Sequence, residues 1–343
     1  MPLAALVSYR LGGPDGVSVE AGKWSRALAG LGFEVRTVAG EGRADVVLPG
    51  LCMHAREPAA AREVFSALDD ADLVVVENLC SLPLNPRASE AVATALRGRP
   101  AVIHHHDLPW QRKELEGRPP PPDDPAWAHV TINDLSRHQL AERGIEAVTI
   151  PNCFDTEAAA GDRDGARRRM GVAPGHRLLL HPVRAVPRKD VPAAVALAEA
   201  LDGTYWLTGP AEEGYGPELE RVLSAARVPV LRGLDGLSAE DAYAACDAVA
   251  LTSTIEGFGN AVIESAVHRR PLALRRYPVA VELERFGFRW FPADDAGPLG
   301  AWLGAPDAAL LDHNLAVARR HFSLRDLPGR LAKVFERRGW RWS

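Results

Sequence analysis

The feature that most restricts the fold of this chain is an alternation of short apolar runs with helical segments that runs once, breaks, and starts again. Residues 3–9 read as a buried strand. A glycine-rich turn follows from Leu11 to Gly16, and then residues 18–31 place Val19, Trp24, Ala27, Leu28 and Leu31 at helical spacing. Further apolar runs lie at 34–38, 44–48, 73–76, 101–104, 130–132 and 147–150, with helical segments at 60–68, 87–97 and 134–143. Strands alternating with helices predict a parallel sheet covered on both faces. Residues 151–173, rich in Asp, Arg, Ala and Gly and weak in apolar period, are predicted to be the interdomain linker. Beyond them the alternation restarts with a strand at 178–183. It continues through a helix at 191–201, a strand at 248–251, a helix at 260–268 and a strand at 272–274 to a helical tail.

The expected fold class is therefore α/β, with two Rossmann-like domains, 1–155 and 156–320, facing a cleft. A length of 343 residues agrees with two domains, at roughly 150 residues each. With 47% hydrophobic and 25% charged residues the chain has the composition of a globular protein. A net charge of −5 argues against a general polyanion binder, so no nucleic-acid partner is expected. Cys52, Cys80, Cys153 and Cys246 lie far apart, form no Cys-x-x-Cys pair and point to a reducing, cytoplasmic setting. The first nine residues lack a basic n-region and read as a core strand. No apolar stretch reaches the roughly 18 residues of a membrane span.

In open parallel sheets ligands bind beyond the C-terminal strand ends, and four motifs fall there. At Gly12, Gly13 and Gly16, bare backbone ahead of a helix N-terminus suits a phosphate, or is simply a tight turn. The run His104-His105-His106-Asp107 puts His104 and His106 on one face of a strand. That is a possible zinc pair, a core histidine pair, or, for His106 at the outer end, a donor contact. Arg184 and Lys189 follow the strand at 178–183 and offer a fork of donors and a point charge to a diphosphate, or form a solvated basic loop. The most specific motif is Glu256-Gly257-Phe258-Gly259-Asn260-Ala261-Val262-Ile263-Glu264. Its two glycines precede a helix starting near Asn260, and a carboxylate stands on either side.

The spacing from Glu256 to Glu264 resembles the E-x7-E motif of retaining family-four (group 1) glycosyltransferases of the GT-B fold. The other matches come in that family's order: Gly16 for its glycine loop, His106 for its donor-side histidine, Ile150-Pro151-Asn152 and Asp155 for its linker entry, and Arg184 and Lys189 for its Arg…Lys pair. The resemblance spans nearly the whole chain, about residues 1–335. Cys153 and Asp190 depart from it, both standing where glycine is usual.

The resemblance implies a hexosyl transfer from a nucleotide-sugar donor to a sugar, glycolipid or small-molecule acceptor, with retention. Arg184, Lys189 and the amides of Gly16, Phe258 and Gly259 would hold the leaving diphosphate, so no metal and no cofactor is required. Gly257 and Asn260 complete the donor loop. Glu264 would hold the ribose, and Glu256 and His106 would hold hydroxyls of the donor sugar. Gly233 and Leu234, in the loop 232–236, are candidates for the base, which the sequence leaves open among GDP, UDP, TDP and ADP. Asp107, Trp110 and Arg112 are candidates for the acceptor, Trp110 equally as a sugar platform or a packing residue. The last helix, 321–343, either crosses back to the first domain or uses its basic and aromatic residues for peripheral contact with the inner membrane face. Three other readings stand beside this one: a metal-dependent hydrolase on His104, His106 and Asp107, a GT-B epimerase or phosphorylase, and a nucleotide-sugar binding module.

Overall fold

A computed structural model describes every residue except Pro14, Pro58, Lys113, Glu114 and Ser343; Pro14, in the glycine-rich turn, thus lies outside the described residues. The chain divides into two compact units, Met1–Cys153 with Leu324–Ser343, and Phe154–Ser323.

In the first unit the strands are β1 (Leu3–Leu11), β2 (Glu34–Gly42), β3 (Val46–Val47), β4 (Leu73–Glu77), β5 (Ala101–His105), β6 (Trp127–Thr131) and β7 (Ala147–Thr149). All pair in parallel in the order β3-β2-β1-β4-β5-β6-β7. Between them run α1 (Gly16–Gly30), α2 (Ala61–Leu68), α3 (Pro86–Leu96) and α4 (Asp134–Ala141). The two-residue period of a strand sorts the core onto two faces. Ala5, Val7, Val74 and Val76 pack on one, and Ala4, Leu6, Leu73 and Val75 on the other.

The second unit departs from the linker expected at its start. Part of the segment expected to be a linker, 151–173, is a helix, α5 (Arg163–Arg169). It has no apolar stripe to betray it. Instead Arg163 Nη1 donates to the carbonyls of Ala244, Ala245 and Cys246, each at 2.9 Å, while Arg163 and Arg167 both pair with Asp247. Arginines at the carboxyl end of another helix satisfy carbonyls that have no partner within it.

From there the strands are β8 (Leu178–His181), β9 (Thr204–Leu207), β10 (Val230–Arg232), β11 (Ala248–Leu251), β12 (Leu272–Leu274) and β13 (Phe291–Pro292), parallel in the order β10-β9-β8-β11-β12-β13. The helices are α6 (Val191–Ala200), α7 (Gly216–Ser224), α8 (Ala239–Ala245), α9 (Asn260–Val267), α10 (Pro278–Glu284), α11 (Ala296–Gly304) and α12 (Ala308–His321). The short β13 stands in what the sequence suggested was a helical tail.

The last helix, α13 (Leu327–Arg337), belongs to the first unit. Leu327, Leu331, Val334 and Phe335 recur at helical spacing and are buried with the face of the sheet that α1 covers. Trp342 meets Phe33 and Phe335 edge-on, at 4.9 and 5.2 Å between ring centres, and Trp340 lies 6.0 Å from Phe335. The aromatic residues offered above for membrane contact are thus engaged inside this unit. Each buried Leu or Phe of this kind contributes about 1.5–3 kcal/mol. Among the described residues no helix is long and apolar enough to cross a membrane.

In both sheets the strand order reverses beside the first strand of the unit, between β1 and β4 and between β8 and β11. Such a reversal leaves a crevice beyond the carboxyl ends of the two strands, because their connections leave in opposite directions.

Candidate active site

The second unit carries the E-x7-E motif at its reversal. After β8 the chain makes a short 3-10 turn at Pro187–Lys189, and Asp190 enters α6 in the left-handed region at φ 47°. Asp tolerates that conformation because its short side chain bonds locally. Here the carboxylate accepts from the Ala193 amide at 3.2 Å, capping α6, and pairs with Arg275 at 2.6 Å. This explains how Asp190 serves where the resembling family has glycine. Thr252, just past β11, ties the turn down through Oγ1, which donates to the carbonyls of Lys189 and Asp190 at 2.9 and 3.0 Å.

Lys189 and Glu256 meet at this point. Lys189 Nζ donates to Glu256 Oε1, and Arg188 Nη1 reaches Glu256 Oε2 at 3.0 Å and the Ile255 carbonyl at 3.2 Å. Burial pushes the Glu256 carboxyl up, but the charges of Lys189 and Arg188 outweigh it and hold Glu256 below the usual range. Burial also pulls Lys189 down, against the opposing charge of Glu256. The two shifts differ in what they imply for the pair; the direct contact and the extra cation Arg188 favour the ionised form. Sequence reading passed over Arg188. Its signal was its place beside Lys189 in a basic turn.

Arg184 pairs with Glu212, both side chains about 40% exposed, and its charge is still felt at Lys189. Gly259 lies at φ 91°, and a methyl group there would stand 1.9 Å from the Tyr277 hydroxyl, which donates to the Phe258 carbonyl at 3.1 Å. Glycine is therefore required on both counts. Gly259, which precedes Asn260 at the start of α9, has no side chain of its own to cap that helix. Phe258 is buried, and Gly257 leads into the same turn. Glu264, on α9, accepts at 2.6 Å from the hydroxyl of Tyr243, whose ring stacks on His268. Nothing in the sequence flagged Tyr243, because its partner lies on another helix. Gly233, at φ 74°, follows the edge strand β10, and its carbonyl accepts from Trp206 Nε1 at 2.7 Å; Leu234 is next to it.

In the first unit Gly16 is the first residue of α1, with open space where a side chain would stand. Asp15 caps that helix, accepting from the Ser18 amide at 3.1 Å, so the acidic residue of the turn serves one of the exposed amides. His104 and His106 do share a face, but Asp107 is not their partner: it pairs with Arg112 at 2.9 Å. Glu77, at the end of β4, takes that place. His104 Nδ1 and His106 Nε2 each lie 2.8 Å from Glu77 Oε2, and all three residues are buried. One ligand atom from each lies within 4.8 Å of the others, so the set has the donor types of a metal site. Both ring nitrogens nevertheless converge on one carboxylate oxygen at hydrogen-bond distance, which is the geometry of a proton-linked trio. His105 points the other way and meets His129 at 2.9 Å. Trp110 packs against Leu108, Leu140 and Ile145, with the Arg143 guanidinium 3.7 Å over its ring.

No family model matches the chain. Among curated proteins it is similar to mannosylglucosylglycerate synthase of Thermotoga maritima, at 26% identity over 96% of this chain and 98% of that protein. The protein of the same name from Petrotoga mobilis is 25% identical over 80% of this chain and 82% of its own length. Among solved structures, Anabaena HepE in complex with UDP-glucose has a TM-score of 0.73 at 19% identity, covering 97% of this chain and 99% of that one. Sucrose-phosphate synthase from Thermosynechococcus elongatus has a TM-score of 0.71 at 13% identity, covering 98% and 99%. Two parallel sheets with reversed strand order, together with the likenesses in sequence and fold, give this chain the fold of GT-B glycosyltransferases and the activity of a glycosyltransferase that uses a nucleotide-sugar donor.

Proposed function

We propose that this enzyme moves a hexosyl group from a nucleoside-diphosphate sugar to a carbohydrate, glycolipid or small-molecule acceptor, with retention and without a metal ion. The observation that carries the reading is the cluster at the reversal of the second sheet, where Lys189 and Arg188 share Glu256 beside the glycine turn that leads into α9.

Cleaving the bond to the nucleotide leaves negative charge on the diphosphate and positive charge on the sugar. Prearranged donors lower the barrier where that negative charge grows. In this proposal Lys189 and Arg184 supply two of them, and the amides of Gly16, Phe258 and Gly259 supply the rest. Glu256 is paired with two cations, so one positive charge remains over for a diphosphate. Glu256 then binds a hydroxyl of the donor sugar, with His106 as a second sugar contact, and Glu264 binds the ribose. With no carboxylate assigned as nucleophile, the departing phosphate takes the acceptor proton on the face it leaves, which gives retention.

The names of the relatives suggest the first substrates to assay: activated mannose or glucose as donor, and glucosylglycerate as acceptor. The complex of HepE with UDP-glucose puts uridine first among the bases. A thermal-shift screen against GDP, UDP, TDP and ADP, followed by NMR of the anomeric configuration of the product, tests the proposal. A ligand that binds the native state alone raises the melting temperature. No shift with any of the four, or an inverted product, would refute it.

A further inference from the structure

We propose that Glu77 is a positioning residue for this transferase: it grips the Nε2 edge of His106, so that His106 meets the donor sugar as a cation through Nδ1. The inference rests on the reading of His106 as a donor contact and adds what sets its orientation and charge.

The grip comes from the sheet. β4 and β5 pair in parallel with Glu77 opposite His104, which places the Glu77 carboxylate under the two same-face histidines, His104 and His106. Asn78 follows in the left-handed region at φ 60°, and its side-chain oxygen accepts from the amides of His106 and Asp107 at 3.1 and 3.2 Å. Two adjacent residues at one strand end therefore hold both the backbone and the ring of His106. Trp24 closes the back of the trio, stacked on His104 at 4.1 Å between ring centres.

The surroundings push the two rings in opposite directions, His106 up and His104 down. Burial lowers both rings. For His106 that is outweighed by the hydrogen bond to Glu77, then by the charges of Glu77, Glu20 and Asp107, so its pKa is raised. For His104 burial wins over Glu77, so its pKa falls. Burial would raise Glu77, yet the two histidines hold it at about 2. The groups facing His106 are thus Glu77 on β4, His104 on β5, Asp107 in its own loop, and Glu20 on α1, itself paired with Lys23.

A cation held against a buried carboxylate is neutral as a pair. It offers the sugar an N–H donor without adding net positive charge beside a centre that is itself becoming positive. When His106 loses its proton, the N–H that remains stays with Glu77 and Nδ1 turns from donor to acceptor. Donor binding and turnover should therefore fall together as pH rises through the raised His106 pKa.

The test is nitrogen-15 NMR of histidine-labelled enzyme, free of substrate, with His106 assigned through His106→Gln. The kcat/KM pH profiles of wild type and Glu77→Gln are measured beside it. Expected are a wild-type His106 that titrates above an ordinary histidine, a lower titration in Glu77→Gln, and an alkaline limb shifted toward acid in that variant. A wild-type His106 that titrates at or below an ordinary histidine overturns the proposal whether or not Glu77→Gln folds. So does an unmoved limb in a folded Glu77→Gln. If the wild type shows no glycosyl transfer at all, the broader reading fails, while the substrate-free titration still decides whether Glu77 holds His106 as a cation.

Discussion

Lys189 and Glu256, 67 residues apart in sequence, form a buried ion pair at the strand reversal of the second unit, and Arg188 holds the other oxygen of the same carboxylate. Because Glu256 is depressed below its ordinary value, its pairing stabilises the fold above the unfolded carboxylate pKa. That stability is lost as pH falls through the lower, folded value. Wild type should therefore exceed Glu256→Gln in stability at neutral pH, and the gap should close on acidification. Urea unfolding of both proteins across the acid range measures it; a gap that widens toward low pH contradicts the pairing.

Lys189→Ala and Arg184→Ala should each reduce turnover about a hundredfold, roughly 3 kcal/mol for one charged donor to a leaving group. Their effects on stability should differ. Lys189 is buried against Glu256, whereas the exposed Arg184–Glu212 pair contributes about 0–1 kcal/mol. Steady-state kinetics with melting curves separates the two; near-wild-type kcat/KM in either folded variant removes that residue from the site.

The two carboxylates should divide their work. Glu264→Gln should weaken binding of the free nucleoside diphosphate together with donor KM, since a ribose contact is uniform binding. Glu256→Gln should leave nucleotide affinity nearly unchanged and depress kcat. Tyr243 fixes Glu264 from α8, so Tyr243→Phe should behave as a milder Glu264→Gln, with several-fold weaker nucleotide binding and normal kcat. Calorimetric titration with nucleotide checks all three, and the reverse pattern would exchange the roles.

Transfer activity should persist in EDTA, because the proposal has cations and amides rather than a metal facing the diphosphate. Assays of metal-stripped enzyme with and without Mg²⁺ or Zn²⁺ decide this. Activity that vanishes and returns with either ion would establish a metal requirement.

Gly259→Ala should cost about 2 kcal/mol or more, from a strained backbone and a clash with the Tyr277 hydroxyl. Adding Tyr277→Phe removes the oxygen and should restore part of that loss, leaving the backbone share. Denaturant midpoints of the two variants test the account; no recovery in the double variant would mean that the backbone alone sets the cost.

Most of the alternation was legible in the sequence because it is local. Apolar runs such as 73–76 and 248–251 match β4 and β11, and Ser238, Asn85 and Asn133 cap the helices that follow them. The E-x7-E motif was legible for the same reason: two glycines, a helix start and two carboxylates fall within nine residues. Where stability came from distant partners, local pattern misled. α5 looked like linker because the carbonyls that hold Arg163 belong to residues some eighty positions later.

The sequence by itself determined the fold class, most of the series of strands and helices, and the strand ends at which chemistry-bearing residues stand. Only the tertiary structure decided which of those residues meet. Strand order puts β4 beside β5, so Glu77, an acid ending an apolar run, becomes the partner of His104 and His106 in place of the adjacent Asp107. Strand order likewise puts β8 beside β11, so Lys189 and Arg188 find Glu256 while Arg184 turns to Glu212. Local pattern follows from the backbone periods of strand and helix, which each residue carries with it. Pairings across a sheet depend on which strands become neighbours, and that depends on how the whole unit buries its apolar faces.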